Sequence, residues 1–254
     1  MIKFTPFVTH ATASTAVESW LGSGLGQTVL QAESELMSEA LDDVFGWELL
    51  QLGTWGPRAG LLSGCRTRRS AVIADGRVSS ADTDIAARLS QLPIANGSVD
   101  AVVLPHTLEF ETDPYAVVRE ADRVLAGEGQ LIVLGFRPFS LWGFRSRAIS
   151  RGYPPGLRRM LGVRRVADWL ELLGYDVTLK RPYLFAPPWG GAPPRAGEPS
   201  RLLRRGWFKP WPAGAYLIKA RKRVYTLTPL RPKLRERTQP IGGLVKPTTP
   251  RQSS

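Results

Sequence analysis

Apolar and polar residues change period several times along this chain, and each change marks an element. From Gln31 to Phe45, the residues Leu36, Met37, Ala40, Leu41 and Val44 recur at helical spacing among acidic residues, which predicts a helix stopped by Gly46. Trp47 to Leu52 reads as a buried strand, followed by Gly53-Thr-Trp-Gly-Pro57 as a tight loop. A short strand is expected at Ser70 to Ala74, ending on Asp75, and Gly76 to Ser90 is polar without a clear period. Val99 to Leu104 is the next strand. Asp113 then offers an N-cap, with Pro114 at the first helical position, where its missing N–H costs nothing. Val117, Val118, Ala121, Val124 and Leu125 supply the buried stripe of that helix. Gly127 or Gly129 is placed to end it in the left-handed conformation, and Gln130 to Leu134 is a strand again. Val163 to Leu173 carries Val166, Trp169, Leu170 and Leu173 on one helical face and stops at Gly174. Tyr175 to Leu179 starts a strand, and Ala215 to Ala220 is expected as a last strand, antiparallel at a sheet edge.

Strands alternating with helices call for an α/β fold whose mostly parallel sheet is covered on both faces, with an antiparallel edge strand. Ligands of such sheets bind at the carboxyl ends of the strands, near the point where the strand order reverses. The loops after Leu52, Ala74, Leu104 and Leu134 are therefore the ones that matter. Gly22-Ser-Gly-Leu-Gly26 has the look of a dinucleotide loop but follows no strand, so it is expected to be a flexible connector. The expected organisation is an N-terminal segment (1–30), an α/β domain (31–227) with a Pro/Gly-rich insertion at 187–212, and a basic tail (228–254). That tail is too poor in apolar residues to order itself.

Composition adds three constraints. A single cysteine, Cys65, excludes an intramolecular disulfide and fits a reducing compartment. It also has no nearby histidine or second cysteine to suggest a metal site, so no metal is expected. No apolar run approaches the roughly 20 residues that a membrane span needs, and the first residues show no secretory pattern, so the cytoplasm is the expected location. The net charge of +12 is unevenly spread, with −5 over residues 1–150 and +17 over 151–254. Such asymmetry points the C-terminal half toward an acidic partner such as nucleic acid or a lipid surface; a solvated basic surface with a basic tail is the plainer reading.

One stretch carries a family likeness. Leu92-Pro93, Ser98-Val99-Asp100, His106-Thr107-Leu108-Glu109, Asp113-Pro114, Arg123-Val124-Leu125 and Gly127-Glu128-Gly129 follow in the order and near the spacing of a class I S-adenosylmethionine-dependent methyltransferase. Trp169 to Val177 adds a weaker match, and the resemblance runs from about residue 45 to 223. It implies a Rossmann-like class I methyltransferase sheet, here abridged in the middle because only 16 residues separate Asp75 from Leu92. It also implies S-adenosylmethionine as cofactor and methyl transfer to an acceptor as the reaction. By resemblance, cofactor contacts are expected from Gln51, Gly53, Thr54, Trp55, Gly56, Asp75, Leu92 and His106, with Asp75 on the ribose hydroxyls.

The cofactor half departs from the family pattern. An acidic residue followed by alternate glycines is replaced by Gln51, Gly53, Trp55 and Pro57, with Gly56 one place out, and Arg88 stands at a position that is usually acidic. Glycines there let the backbone approach a ligand and take positive φ; Trp55 would fill that space or offer a stacking face. His106 and Glu109 are the candidate acid–base residues, although many methyl transfers need only alignment of the reacting atoms. Phe136, Phe139, Trp142 and Phe144 would line an acceptor pocket or simply pack on the sheet, and His10 has no context. The alternative function is a methyltransferase fold that has lost catalysis and serves as a binding or regulatory module, associated with nucleic acid through the basic half. A nicotinamide-dependent dehydrogenase is disfavoured because no Gly-x-Gly-x-x-Gly follows a strand.

Overall fold

The computed structural model describes residues 10–75, 82–149, 152–189 and 212–224. The basic tail and most of the Pro/Gly-rich insertion lie outside the described residues.

Two helices open the chain, α1 (His10–Leu21) and α2 (Gly24–Leu41). The helix expected from Gln31 thus begins seven residues earlier, and the glycine-rich segment is its start rather than a loose connector. Ser23 caps it, its Oγ accepting from the Gly26 N–H at 3.2 Å. A Cβ on Gly26 would meet the Trp20 carbonyl oxygen and lie 2.6 Å from Leu21 Cα, so the glycine lets the two helix backbones touch. Val17, Trp20 and Leu21 of α1 join Val29, Leu36, Met37 and Leu41 of α2 in one apolar core.

The sheet begins with β1 (Phe45–Leu52), a single helical turn α3 (Arg58–Leu61), β2 (Arg66–Ala74) and a two-residue β3 (Ile85–Ala86). Then come β4 (Val99–Pro105), the short α4 (Thr107–Phe110), α5 (Pro114–Val124) and β5 (Leu125–Phe136). The chain closes with α6 (Leu141–Ala148), α7 (Val163–Leu172), β6 (Tyr175–Tyr183) and β7 (Ala215–Lys222). Strand order is β3-β2-β1-β4-β5-β7-β6. The run from β3 to β5 is parallel, while β7 pairs antiparallel with both β5 and β6. The order reverses between β1 and β4.

Side-chain alternation along each strand feeds two cores. Leu49, Ala101, Val103, Ile132, Leu134 and Leu217 face α1 and α2. Leu50, Leu52, Val102, Leu104, Leu131, Val133 and Ile218 face α5 and α7. Both faces are covered, which is why the strands read as continuous apolar runs rather than alternating ones.

Two expectations are corrected. β7 is not the edge strand: Ala215 to Ala220 is buried throughout because β6, exposed along most of its length, covers its outer side. Neither Gly127 nor Gly129 ends α5, which passes into β5 at Leu125; the left-handed residue there is Glu128, with φ 66°. Gly129 serves close packing instead, since a Cβ would lie 2.8 Å from Leu125 Cγ and 3.0 Å from the Asp100 carbonyl oxygen.

Several residues of the family-like stretch hold this frame together. Asp100 Oδ2 accepts from the Trp47 and Glu48 N–H groups at 2.7 and 3.0 Å, pinning β1 to β4. Arg123 donates to the Leu92 and Ile94 carbonyls at 3.0 and 2.9 Å and pairs with Glu120 at 2.7 Å, clamping the loop before β4 against α5. Asp113 Oδ1 caps α5 by accepting from Ala116 N–H at 3.1 Å.

Candidate functional site

A cavity of about 400 Å³ opens at the carboxyl edge of β1, β2 and β4, where the strand order reverses. Its floor is the loop after β1, with Gly53, Thr54, Gly56 and Pro57. Ala74 and Asp75 border it at the end of β2, Leu89 in the loop after β3, and Pro105 and Thr107 at the end of β4. Val17 and Leu21 of α1 and Leu30 of α2 close over it, while Phe110, Glu111, Gly156 and Arg158 form the remaining side.

The loop after β1 keeps two left-handed glycines despite its altered spelling. Gly53 has φ 90° and Gly56 φ 69°, both in the left-handed region. A Cβ on Gly53 would lie 2.9 Å from Thr107 Oγ1, and one on Gly56 would strike Leu30 Cδ2. Gly53 N–H donates to the Ile73 carbonyl at 2.7 Å, and Thr107 Oγ1 donates to the Leu52 carbonyl, so the loop is tied to both neighbouring strands.

The expected cofactor contacts divide. Gly53, Thr54, Gly56 and Asp75 line the cavity. Gln51, Trp55, Leu92 and His106 do not, and each has a physical reason. Gln51 is buried under the loop, its Nε2 donating to the Gly53 carbonyl at 3.0 Å while its Oε1 has no partner among the described residues. Leu92 is held by Glu120 and Arg123 through its backbone, with its side chain in the core. Trp55 turns away from the cavity and is buried among Trp20, Phe110, His106 and Phe136. It thus neither fills the cavity nor presents a face to it.

His106 is the centre of a buried polar cluster beneath that tryptophan. It sits at φ 55° in the αL region, and its ring stacks on Phe136 with centroids 4.2 Å apart. Its Nδ1 lies 3.0 Å from Glu109 Oε2 and its Nε2 2.9 Å from Glu33 Oε1. Glu33 also accepts from Trp55 Nε1 at 2.5 Å and from the Tyr183 hydroxyl at 2.9 Å, and Glu109 Oε1 accepts from Phe136 N–H at 2.7 Å. Burial works against charge on the imidazole, but the Glu33 and Glu109 carboxylates outweigh it and push its pKa up to about 9. Burial and the adjacent Glu33 raise the Tyr183 phenol, which stays protonated as a donor. An imidazolium with both nitrogens engaged has no lone pair to accept a proton. His106 and Glu109 are thus engaged with each other and with Glu33, and neither lines the cavity.

The aromatic loop after β5 also divides. Phe136 and Trp142 are buried and stacked, with centroids 5.6 Å apart, whereas Phe139 and Phe144 point outward; none of the four lines the cavity. Among the described residues there is no cluster of His, Cys, Asp or Glu able to hold a metal ion, and no helix is long and apolar enough to cross a membrane.

Sequence reasoning missed the lid residues Val17, Leu21 and Leu30 and the central role of Glu33. The signal was present: Val17, Trp20 and Leu21 have helical spacing, and Glu33 falls four residues from both Val29 and Met37, on the buried stripe.

Five parallel strands, an antiparallel pair beside them and a ligand-sized cavity at the switch point define the class I S-adenosylmethionine-dependent methyltransferase fold. Residues 66–133 match the methyltransferase domain family. A solved S-adenosylmethionine-dependent methyltransferase of Thermotoga maritima superposes with a TM-score of 0.59 at 16% identity, covering 81% of this chain and 94% of that one. Another from Archaeoglobus fulgidus gives 0.54 at 14% identity, covering 81% and 97%. In sequence, the uncharacterised Escherichia coli (strain K12) protein YafS is 31% identical over 163 residues, 64% of this chain and 66% of YafS, so the match spans just under two thirds of that relative. The chain therefore has the fold of class I S-adenosylmethionine-dependent methyltransferases, and within it residues 66–133 match the methyltransferase domain family.

Proposed function

We propose that this chain binds S-adenosylmethionine in the cavity at the ends of β1, β2 and β4 and transfers its methyl group to an acceptor. One observation carries the reading: despite the altered spelling of the loop after β1, Gly53 and Gly56 keep positive φ and leave the cavity open beside the Asp75 carboxylate. When bound, the cofactor supplies an electrophilic methyl carbon on a sulfonium.

The chain's residues would then act by binding and alignment. Asp75, which lines the cavity, would accept hydrogen bonds from a vicinal diol, and the Gly53–Gly56 backbone would allow close approach. Leu89, Val17, Leu21 and Leu30 give apolar walls that exclude water. With His106 and Glu109 sequestered, rate enhancement would come from orientation of the acceptor.

The test is calorimetric titration with S-adenosylhomocysteine. The wild type is expected to bind, and Asp75→Ala to weaken binding by about tenfold to a hundredfold, the worth of hydrogen bonds to a charged group. No heat of binding at millimolar ligand refutes the reading. The same burial of both candidate acid–base residues favours a second reading, a binding or regulatory module that keeps the fold. That reading expects S-adenosylhomocysteine binding without methyl transfer to any acceptor class, nucleic acid included.

A further inference from the structure

Helix α6 carries an outward surface that neither the core nor the cavity uses. Ser140 caps it, its Oγ accepting from Gly143 N–H at 3.1 Å. Phe139, just before the cap, and Phe144, in the following turn, occupy the pair of positions that commonly pack together at a helix start. Here both lie in the open: Phe139 is 82% and Phe144 68% exposed. The Arg147 guanidinium lies over the Phe139 ring at 5.5 Å from its centroid. Exposed Ile149 follows the helix, and Arg145 donates to the Pro188 carbonyl at 2.6 Å, bringing exposed Trp189 to the flank. Leaving large apolar side chains in water forgoes about 1.5–3 kcal/mol each, so a cluster of them needs a partner.

Charge narrows the choice of partner. From Gly129 to Ala167 the sequence has eight arginines and neither Asp nor Glu. Phenylalanine and isoleucine with interleaved arginine suit an interface that is apolar within and anionic at its rim, as a phospholipid surface is. Orientation agrees. α6 follows the carboxyl end of β5, the sheet edge at which the cavity opens, and the segment after it brings Gly156 and Arg158 to the cavity wall.

We infer that the α6 face of Phe139, Phe144, Arg147 and Ile149, flanked by Trp189, docks this chain on anionic phospholipid bilayers with the cavity edge of the sheet toward the membrane. The partner is a lipid surface, and the contact is peripheral.

Vesicle flotation of the full chain tests it, comparing phosphatidylcholine vesicles with vesicles that also contain phosphatidylglycerol. The wild type is expected to float with the anionic vesicles, less so as salt rises. The double substitution Phe139→Ser with Phe144→Ser is expected to lower partitioning at least about tenfold, and Arg147→Glu to lower it for anionic vesicles. Both variants should keep the wild-type circular dichroism spectrum, since these side chains are exposed. If the wild type fails to float with anionic vesicles, whether or not it binds single-stranded RNA, or if the double variant floats as well as the wild type, the inference is overturned; the latter result would assign binding to basic residues elsewhere. Flotation requires no cofactor and no methyl transfer, so its failure leaves the cavity reading untouched, and the reverse also holds.

Discussion

Raising the pH should loosen this protein in a window set by His106. In the folded chain the imidazole is pushed up to about 9 from an ordinary value of 6.5. The folded state therefore holds a proton that the unfolded state gives up earlier. For a raised pKa the contribution is fully present below about pH 6.5, declines as pH rises and is gone above about pH 9. The distance between those values corresponds to about 3 kcal/mol, a large share of the 5–15 kcal/mol typical of a domain. Between the two values the slope approaches about 1.4 kcal/mol lost per pH unit, one proton's worth. The groups facing the imidazole are Glu33 from α2, Glu109 from α4 and Tyr183 from β6. Chemical denaturation from about pH 6 to pH 10 measures the loss. Because the chain has only two histidines, NMR can follow the His106 ring directly, with His106→Gln giving the assignment. An unfolding free energy that stays flat across the window, or a His106 resonance that titrates at an ordinary value, would refute the reasoning.

Three further outcomes follow from the packing. Trp55→Phe should lose about 3 kcal/mol, from a hydrogen bond to a buried carboxylate plus the vacated volume; because Trp55 faces away from the cavity, calorimetry should show S-adenosylhomocysteine affinity falling far less than stability. Gly56→Ala should cost about 1 kcal/mol for its left-handed backbone and, by pushing Leu30 toward the cavity, weaken the same ligand in titration. Gly26→Ala should cost about 1–3 kcal/mol by prising α1 from α2, read as a lower denaturation midpoint and easier proteolysis within α1.

Legibility in the sequence followed the range of the forces involved. Elements set by local chemistry stood out: the Asp113 cap with Pro114, the stripe from Val117 to Val124, the stop at Gly174. The strand–helix–strand run from Val99 to Leu134 could be read as well, and there Asp100 and Arg123 make contacts that the frame needs. What escaped was decided at long range. Whether Trp55 points into a cavity or into the core depends on Glu33, 22 residues away, offering a carboxylate to its indole. His106 resembled a pocket histidine until two carboxylates, one from a helix 73 residues earlier, were found on its ring. The edge strand was misplaced because burial of 215–220 depends on β6 beside it, and composition alone reports only that the segment is apolar.

The cluster around His106 also makes the walls of the cavity unequal. It rivets α2 to the turn after β4 and to β6, so moving α2 away would expose charges that only this arrangement satisfies. The contacts of α1 include apolar packing, the hydrogen bond from Trp20 Nε1 to the Tyr153 hydroxyl at 3.1 Å and that from Gln27 Nε2 to the Leu21 carbonyl at 3.1 Å. The α2 side of the cavity is therefore a costly one to move, because separating it from β6 would strand the buried Glu33 carboxylate.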